Sequence, residues 1–425
     1  MSHRRRVFIT GLGFICSIGN SSQEVSESLR TLRSGLERVV FLDNPNLGVK
    51  VVGSVKNFAT SSTAVVDWRY PSEYSIRPET LRGMSPHVVY AHCAVQQALK
   101  DSGLELDQIT DGDTGMFCAS AGSAWLMTHH VNILHAKKGG RGDPMGIVRS
   151  IAGTLNFNLT TSFKIAGSSC GFVTACASSS HAMGYAYDEI VLGRQKRMII
   201  VGAEDCNAES VLPFDSMRAL THKDDPLTAS RPFDITRDGF VSSGGSAVLI
   251  MEDEEEAIRR GAKIYGEMCG WGQASDGYNV AISHPQGEGL RVAMEKALKS
   301  ANLEPSDVTY VNAHATSTPP GDRSEAHALN AVFTKKGAHP WVSSTKALTG
   351  HPLSMAGVME ASFCSLAMKE GFIPGAANLE NPDPACEGLR FPLKASILNE
   401  TPKVILSNSS GFGGANVAIA LKAVA

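Results

Sequence analysis

Two patterns of apolar positions recur along the chain: short apolar runs, and segments with apolar residues three or four positions apart. The run Val7–Ile15 is interrupted only by glycines and a threonine, which predicts a buried first strand rather than a signal peptide. Residues 197–202 predict a second such strand after a helix over about 176–192. Every apolar run falls well short of about 18 residues, so we expect no membrane-spanning helix.

One helical pattern occurs twice. Residues 94–109 and 293–308 are identical at six of sixteen positions, where chance gives about one. Each copy predicts an amphipathic helix that ends at Gly103 or Asn302. A short apolar strand follows each helix, over residues 115–119 in the first copy and 308–312 in the second.

The repeat divides the chain into two related halves, roughly 1–255 and 256–425. A second helix in the latter half, over about 351–368, corresponds to the helix over 176–192. Alternating strands and helices predict the α/β class, with a largely parallel sheet and helices on its faces. The first half carries extra residues between about 120 and 170, where we expect substrate-pocket or dimer elements.

Charge and cysteine content narrow the function classes. The 425 residues include 39 Lys and Arg against 42 Asp and Glu, a net charge of −3, which argues against a broadly basic nucleic-acid binder. The nine cysteines form no CxxC pair, so we expect reduced thiols in a cytoplasm and no metal site. The Gly11-Leu-Gly13 segment lacks the third glycine of a dinucleotide fingerprint, which disfavours NAD binding.

Cys176 is the first candidate for chemistry. Small residues surround it at the predicted start of a helix, in Thr174-Ala-Cys-Ala-Ser-Ser-Ser-His181. The positive end of the helix dipole there favours a thiolate. From this motif alone, a buried and inert cysteine is an equal alternative.

The second half adds two histidines and a lysine. His314 lies just past an apolar strand, and Lys346 and His351 lie just before the helix over 351–368. A single histidine is more often structural, but three such residues at matching strand–helix junctions favour a site. The glycine-rich stretch Asn408–Asn416 is either a plain hairpin turn or a source of a backbone N–H for an oxyanion.

These motifs together resemble the β-ketoacyl-[acyl-carrier-protein] synthases of the elongating, malonyl-condensing type, within the thiolase superfamily. The resemblance covers nearly the whole chain, and Lys346 and His351 follow His314 at the family's spacing. The motifs that carry it are Arg5-Val-Phe-Ile-Thr-Gly-Leu-Gly, Thr174-Ala-Cys-Ala-Ser, Arg231-Pro-Phe-Asp with Arg237-Asp-Gly-Phe, Asn312-Ala-His-Ala-Thr-Ser-Thr-Pro with Gly321-Asp-Arg-Ser-Glu325, Ser344-Thr-Lys-Ala-Leu-Thr-Gly-His351 and Gly411-Phe-Gly-Gly414.

The resemblance implies a thiolase-like duplicated five-layer α-β-α-β-α fold and a decarboxylative condensation of acyl- and malonyl-loaded carrier proteins. Cys176 would carry the acyl chain as a thioester, and His314 and His351 would donate hydrogen bonds to the enolate. The remaining family positions would support these three residues. Lys346 paired with Glu325, together with Asp322, would supply supporting charge. The backbone N–H groups of Cys176 and Phe412 would form the oxyanion hole, and Phe412 between Gly411 and Gly413 would act as a gate. Thr316 and Thr318 would bind the pantetheine arm. We expect no bound cofactor beyond the carried substrates.

Four positions depart from the family pattern. Ser410 replaces the usual phenylalanine, Gly122 stands where an isoleucine often closes the acyl pocket, and Asn279 and Ala281 replace a histidine and a threonine. Together they indicate a wider or differently shaped acyl pocket. Specialised elongation of unusual fatty acids, polyenes or polyketides and ordinary fatty-acid synthesis both stay open.

Partners follow from the same resemblance. Acidic carrier proteins would dock near Arg77 and Arg82, although each arginine is equally well explained as a solvated surface residue. The family is dimeric, so we expect a homodimer or a heterodimer with a ketosynthase homologue. The alternative function is a chain-length-factor-like partner subunit with little activity of its own, which normally lacks the cysteine. A degradative thiolase would carry a second cysteine in the C-terminal glycine-rich motif, and residues 407–416 contain none.

Overall fold

The computed structural model describes residues 5–137, 140 and 142–424. In this part of the chain the strands are β1 (Val7–Ile15), β2 (Leu36–Arg38), β3 (Val51–Gly53), β4 (Thr114–Ala119), β5 (Ser169–Phe172), β6 (Arg197–Glu204), β7 (Gly245–Asp253), β8 (Gly266–Ser275), β9 (Tyr310–Asn312), β10 (Trp341–Ser343), β11 (Phe372–Ile373), β12 (Ile397–Leu398), β13 (Val404–Gly411) and β14 (Ala415–Lys422). The α-helices are α1 (Ser22–Thr31), α2 (Pro78–Leu81), α3 (Pro86–Ser102), α4 (Ala124–Ala136), α5 (Gly146–Ser150), α6 (Thr154–Phe163), α7 (Ser178–Val191), α8 (Ala208–Ser216), α9 (Glu254–Arg259), α10 (Glu288–Ala301), α11 (Pro319–Val332), α12 (Lys346–Thr349) and α13 (Ala356–Glu370).

The order of strands repeats between the two halves. The first half runs β1-β7-β6-β4-β5 and the second runs β8-β14-β13-β9-β10, and β1 pairs with β8 to join them. Each strand of the first set therefore has a counterpart in the second. The domain boundary predicted at 255/256 falls within α9, and the division into two domains stays a prediction.

The sheet is mixed, so the expectation of a largely parallel sheet is wrong. Strand β4 is parallel to β5 and β6, and β9 is parallel to β10 and β13, but β1, β7, β8 and β14 pair antiparallel with their neighbours. The predicted alternation covered only the strands that precede or follow a crossover helix. Strands β13 and β14 are joined by a turn of three residues, 412–414, which only an antiparallel pair can use.

The internal repeat is confirmed by the helix ends. Helix α3 ends at Gly103 and α10 ends at Asn302, both in the left-handed conformation with φ of 69° and 54°. The strands that follow are β4 and β9, as predicted. The same stop signal therefore ends the same helix in each half.

The layers follow from alternation along the strands. In β6, Met198 and Ile200 point into a central core with α7 and α13, whereas Ile199 and Val201 point into an outer core with α3 and α6. The second half has its own outer core against α10 and α11. Helices on both outer faces and two between the two halves of the ten-stranded sheet give the predicted five-layer α-β-α-β-α arrangement.

Glycines let the outer helices approach the sheets closely. A methyl group at Gly13 on β1 would lie 2.0 Å from the carbonyl oxygen of Ala94 on α3. Gly272 on β8 has the same relation to α10, where the carbonyl oxygen of Ala293 would be 2.3 Å away. The Gly11-Leu-Gly13 segment thus lets an outer helix pack on the sheet, as Gly272 does at the equivalent position in the second half.

The extra residues of the first half form α4, α5 and α6 and the loops around them, with Lys138, Gly139 and Arg141 outside the described residues. Most of α4 is exposed, since only Leu126 of its residues is buried. Across residues 5–137, 140 and 142–424, none of the helices has the length and apolar character needed to cross a bilayer.

Gly13→Ala should lower the free energy of unfolding by about 3 kcal/mol, because the new methyl group overlaps a helix carbonyl that cannot move alone. Urea denaturation followed by circular dichroism measures the change. Gly112→Ala is the control, since its methyl group would meet nothing within 4 Å and φ is 85°, so only backbone strain of about 1 kcal/mol is expected. Equal effects of the two substitutions would contradict the close packing of α3 on β1.

Candidate active site

Cys176 lies in a strained turn between β5 and α7. Ala175 before it has a φ of 50°, a left-handed conformation that is unusual for a residue with a side chain. The Ser178 hydroxyl accepts a hydrogen bond from Thr174 N (2.8 Å), which closes the turn. This geometry presents the half-buried sulfur ahead of the first turn of α7.

The central helices bring His351 to this sulfur. Small residues let α7 and α13 cross near their N-termini, where a methyl group on Gly357 would lie 2.0 Å from Ser180 Oγ. Cys176 and His351 both lie a few residues before that crossing. His351 Nε2 is 3.0 Å from Cys176 Sγ.

His314 completes the group. It follows β9, and its ring centroid lies 5.3 Å from that of His351, with the ring planes at 88°. Both rings are buried. The structure therefore brings together the three residues that the sequence singled out from different halves.

Lys346 has a different partner from the expected one. Its ammonium forms a buried ion pair with Glu360 of α13, rather than pairing with Glu325. Glu360 was missed at the sequence level, although a single carboxylate inside an otherwise apolar helix was a signal for a buried charge pair. The Lys346–Glu360 pair places a fixed charge beside the histidines.

Glu325 and Asp322, both on α11, hold the backbone that carries His314. The Glu325 carboxylate accepts from the backbone N–H groups of His314 (2.9 Å) and Ala315 (2.6 Å). Asp322 accepts from Ser317 N (3.1 Å). Burial raises the pKa of both carboxyls, that of Asp322 to about 7. Glu325 also accepts from Asn408 Nδ2 (3.1 Å), and Asp322 lies 3.4 Å from the guanidinium of Arg237. Their backbone contacts help to fix the position of the imidazole.

The surroundings of Cys176 favour the thiol, whereas its place at the start of a helix was expected to favour a thiolate. Burial raises the pKa of Cys176 to about 12, and the ammonium of Lys346 only partly opposes that shift. The helix dipole acts in the same direction as Lys346 and is outweighed by the loss of hydration. The thiol proton therefore has to leave through His351, its hydrogen-bond partner.

Both imidazoles are neutral. Burial, followed by the nearby charge of Lys346, lowers the pKa of His314 and of His351 well below 6.5. Within the described residues neither Nδ1 atom has a hydrogen-bond partner. In this part of the chain, no partner at Nδ1 fixes the tautomer of either ring. With its proton on Nδ1, His351 can accept the thiol proton at Nε2, and with its proton on Nε2 each ring can donate.

The glycine-rich stretch is both a hairpin turn and part of the site. A methyl group at Gly411 would lie 3.0 Å from Cys176 N, so the turn packs on the backbone of the nucleophile. Phe412 is 38% exposed, with its ring centroid 6.2 Å from that of Phe214. Gly413 has a φ of 76°, which a side chain would strain. Phe412 therefore lies at the edge of the site, next to a glycine in a left-handed conformation.

A cavity of about 400 Å³ leads to these residues. Cys176, His314 and His351 line its buried part, and exposed Met217, Ile282 and Phe412 mark its opening. The predicted pantetheine residues Thr316 and Thr318 also line it, with their hydroxyls 3.0 Å apart.

Of the four positions that depart from the family pattern, two line the cavity and two do not. Ser410 and Ala281 line the cavity, and Ser410 Oγ donates to Asn416 Oδ1. Asn279 is exposed and accepts from backbone groups of its own loop. Gly122 does not line this cavity, and a methyl group there would point into the backbone at Ser150, only 2.5 Å from its oxygen. Gly122 and Asn279 lie outside the lining of this cavity, and their part in the acyl pocket stays a prediction.

Family models match both halves of the chain. The model for the β-ketoacyl synthase N-terminal domain matches residues 4–257, and the model for the C-terminal domain matches residues 265–380. The chain belongs to the β-ketoacyl synthase family. It is accordingly an acyltransferase that forms carbon–carbon bonds.

Curated relatives match this chain over nearly its full length. A 3-oxoacyl-[acyl-carrier-protein] synthase 1 of Haemophilus influenzae is 37% identical over 98% of this chain and 99% of its own length. A 3-oxoacyl-[acyl-carrier-protein] synthase 2 of Synechocystis is 37% identical over 99% of this chain and 98% of its own.

Solved ketosynthases share the fold. A β-ketoacyl synthase from Burkholderia phymatum has a TM-score of 0.90 and 30% identity, covering 99% of this chain and all of its own. A type II polyketide acyl-carrier protein in complex with its ketosynthase bound to the hexaketide gives a TM-score of 0.87 and 25% identity, with full coverage of both chains.

The thiol state predicts a pH profile. Alkylation of Cys176 by iodoacetamide, followed on its peptide by mass spectrometry, should rise about tenfold per pH unit beyond pH 10 without a neutral plateau. Lys346→Met should slow it at every pH, because the ammonium lowers the thiol pKa. Lys369→Met makes the same change on an exposed lysine and should leave the profile unaltered. A plateau below pH 9 would show a resting thiolate instead.

Proposed function

We propose that the chain lengthens an acyl group by two carbons, taking it from the phosphopantetheine of an acyl carrier protein and condensing it with malonyl-carrier protein. The observation that carries this proposal is Cys176 Sγ at 3.0 Å from His351 Nε2, with the His314 ring beside it in one cavity. The curated relatives support the substrate class, since both carry acyl-carrier-protein synthase names.

Acyl transfer comes first. The Cys176 sulfur attacks the carrier thioester carbonyl as its proton passes to His351 Nε2. The carbon–sulfur bond to pantetheine then breaks, and the pantetheine sulfur takes that proton. The oxyanion would be bound by backbone N–H groups of Cys176 and Phe412, and the Gly411 contact supports this placement.

Decarboxylation and condensation follow. The malonyl carbon–carboxylate bond breaks and releases CO2, and its electron pair becomes the enolate of the carrier thioester. Nε2–H groups of His314 and His351 would stabilise the enolate oxygen, because both rings are neutral and can donate. The enolate carbon then attacks the acyl-Cys176 carbonyl and expels the sulfur, which leaves a 3-oxoacyl carrier thioester.

The open end of the cavity supports a phosphopantetheine substrate. Thr316 and Thr318 can hydrogen-bond the amides of the arm. Arg218 lines the same cavity, is exposed and forms no ion pair within the described residues, so it is available to the phosphate. Arg77 and Arg82 are also exposed and support docking of an acidic carrier.

A partner subunit with little activity is less well supported. The reactive thiol and both imidazoles are present and within reach of one another, and a structural subunit needs none of them. For the acyl group, Ser410 and Ala281 in the cavity support the wider pocket of a specialised pathway. The pathway and a cytoplasmic location stay predictions.

A second chain of the same fold would complete the assembly. Strand β5 lies at the end of the sheet order with β4 as its one neighbour, and most of it is exposed. Phe157 and Val173 expose apolar side chains beside it, at 46% and 65%. An uncovered edge strand with apolar neighbours favours pairing with a second sheet edge. Similar solved structures include a ketosynthase with its chain length factor.

Incubation with an acyl-carrier protein should add one acyl group to Cys176, seen by mass spectrometry of the intact chain and of the peptide. Cys176→Ala should abolish the adduct, whereas Cys170→Ala, which removes an exposed thiol on β5, should keep it. His314→Ala should keep the adduct but lower condensation by about 10²-fold or more, because an enolate donor is lost. No adduct on the wild-type chain would overturn the proposed function.

Val173→Glu should convert a dimer to a monomer in size-exclusion chromatography with light scattering, because a carboxylate would be buried in the interface. Val40→Glu makes the same change at a valine that is 91% exposed and lies away from β5, and it should stay dimeric. If the wild-type chain elutes as a monomer on its own, a homodimer is excluded and a heterodimer is the remaining possibility. A dimeric Val173→Glu chain would place the interface elsewhere.

A further inference from the structure

Glu204, the last residue of β6, is a buried carboxyl that the reaction scheme leaves without a role. Its side chain is 2% exposed. One oxygen, Oε1, accepts from the backbone N–H of Ala121 (3.1 Å) in the loop after β4 and also from the hydroxyl of Ser354. Ala121 belongs to the first half and Ser354 to the second. A single carboxylate thus ties together segments from both halves beside the site.

The segment that Glu204 holds is the turn after His351. Ser354 lies in the short 3₁₀ helix Leu353–Met355, three residues beyond the histidine. Leu353 has a φ of 47°, a left-handed conformation that a bulky side chain adopts only when its surroundings impose it. The Leu353 side chain lines the substrate cavity. The hydrogen bond from Ser354 to Glu204 holds the chain next to the strained Leu353.

Glu204 also acts on the nucleophile through its charge. Burial raises the pKa of Glu204 to about 7, a nearby His87 opposes the shift, and Asp205 adds to it. The charge of Glu204 in turn raises the pKa of the Cys176 thiol. Asp205 is paired with His87, and Lys346 and Glu360 face the thiol from the second half. Burial raises the pKa of Glu360 to about 7 as well, and its charge also raises the pKa of the thiol. Glu204 is the buried carboxyl that acts on the thiol from the first half.

We propose that Glu204 is a positioning residue for the condensation site. Its carboxyl fixes the turn that follows His351 and shapes the cavity at Leu353, and its negative charge adds to the effect of burial on the Cys176 sulfur. The proposal rests on Cys176 as the nucleophile. It assigns to one side chain both the shape of the turn and the electrostatic state of the sulfur.

Glu204→Gln tests the charge. The amide oxygen can still accept from Ser354 and Ala121, but the negative charge is gone. Modification of Cys176 by methyl methanethiosulfonate, followed on its peptide, should be about three- to tenfold faster than in the wild type above pH 7. The two rates should converge at pH 6, where the wild-type carboxyl is protonated. Glu400→Gln, the same change at an exposed carboxyl, should follow the wild-type profile.

Ser354→Ala tests the tie. It removes the hydroxyl but leaves the carboxyl, so the modification profile should keep its inflection, moved to higher pH because the Ser354 hydroxyl lowers the pKa of Glu204. Condensation should fall about tenfold in kcat with an unchanged KM for the carrier substrate, because the turn at Leu353 is released. If Glu204→Gln fails to fold in thermal melts, Glu204→Asp, which keeps the charge, should retain the inflection.

Two results would overturn the proposal. Superimposable profiles for Glu204→Gln and the wild type from pH 6 to pH 9 would remove the electrostatic role. An unchanged kcat for Ser354→Ala would remove the positioning role. The modification by methyl methanethiosulfonate needs no carrier protein, so a failure of acyl transfer to Cys176 would count against the proposed function alone.

Discussion

The contact between Cys176 and His351 joins the two halves of the molecule, and the rest of the site depends on it. It exists because α7 and α13 cross at small residues, Ser180 and Gly357, with no room for a side chain on the glycine. A larger residue at Gly357 would separate the helices and with them the sulfur and the imidazole. The geometry of the site is therefore set by packing in the central layer, several residues away from the reacting atoms.

Burial governs the electrostatics of the same site. It keeps the thiol of Cys176 and the imidazoles of His314 and His351 uncharged at neutral pH. The cation Lys346 is matched by Glu360, so the resting cavity holds little unpaired charge. In the proposed reaction, charge then appears as the enolate. Donors fixed in a dry cavity stabilise such a charge more than they stabilise a neutral ground state, which is the difference that accelerates the reaction.

Much of this was predictable from the sequence because duplication leaves a strong signal. The repeated helix with its Gly103 or Asn302 stop gave the two halves, and the junction motifs gave Cys176, His314, Lys346 and His351. The spacing of motifs shows which residues follow a strand. In a duplicated fold, the residues that follow equivalent strands lie close together at one site.

The misses have a common physical cause. The partner of Lys346, the atoms that surround Gly122 and the pKa of Cys176 each depend on what packs around a residue from distant parts of the chain. The role of Gly122 in the acyl pocket stays a prediction. No local pattern records that a methyl group at Gly122 would meet Ser150. The mixed sheet was missed because β7, β8 and β14 lie outside the strand–helix alternation that was used.

The repeat also explains why each half supports the other. Strands β6 and β13 occupy equivalent places in the two strand orders, and each ends at the site. Gly411 at the end of β13 packs on the turn of Cys176, a residue of the first half. Glu204 at the end of β6 binds the turn after His351, a residue of the second half. The two equivalent strand ends thus carry different residues, a glycine that admits a close backbone and a carboxyl that binds a turn. Each half therefore helps to position a site residue of the other half.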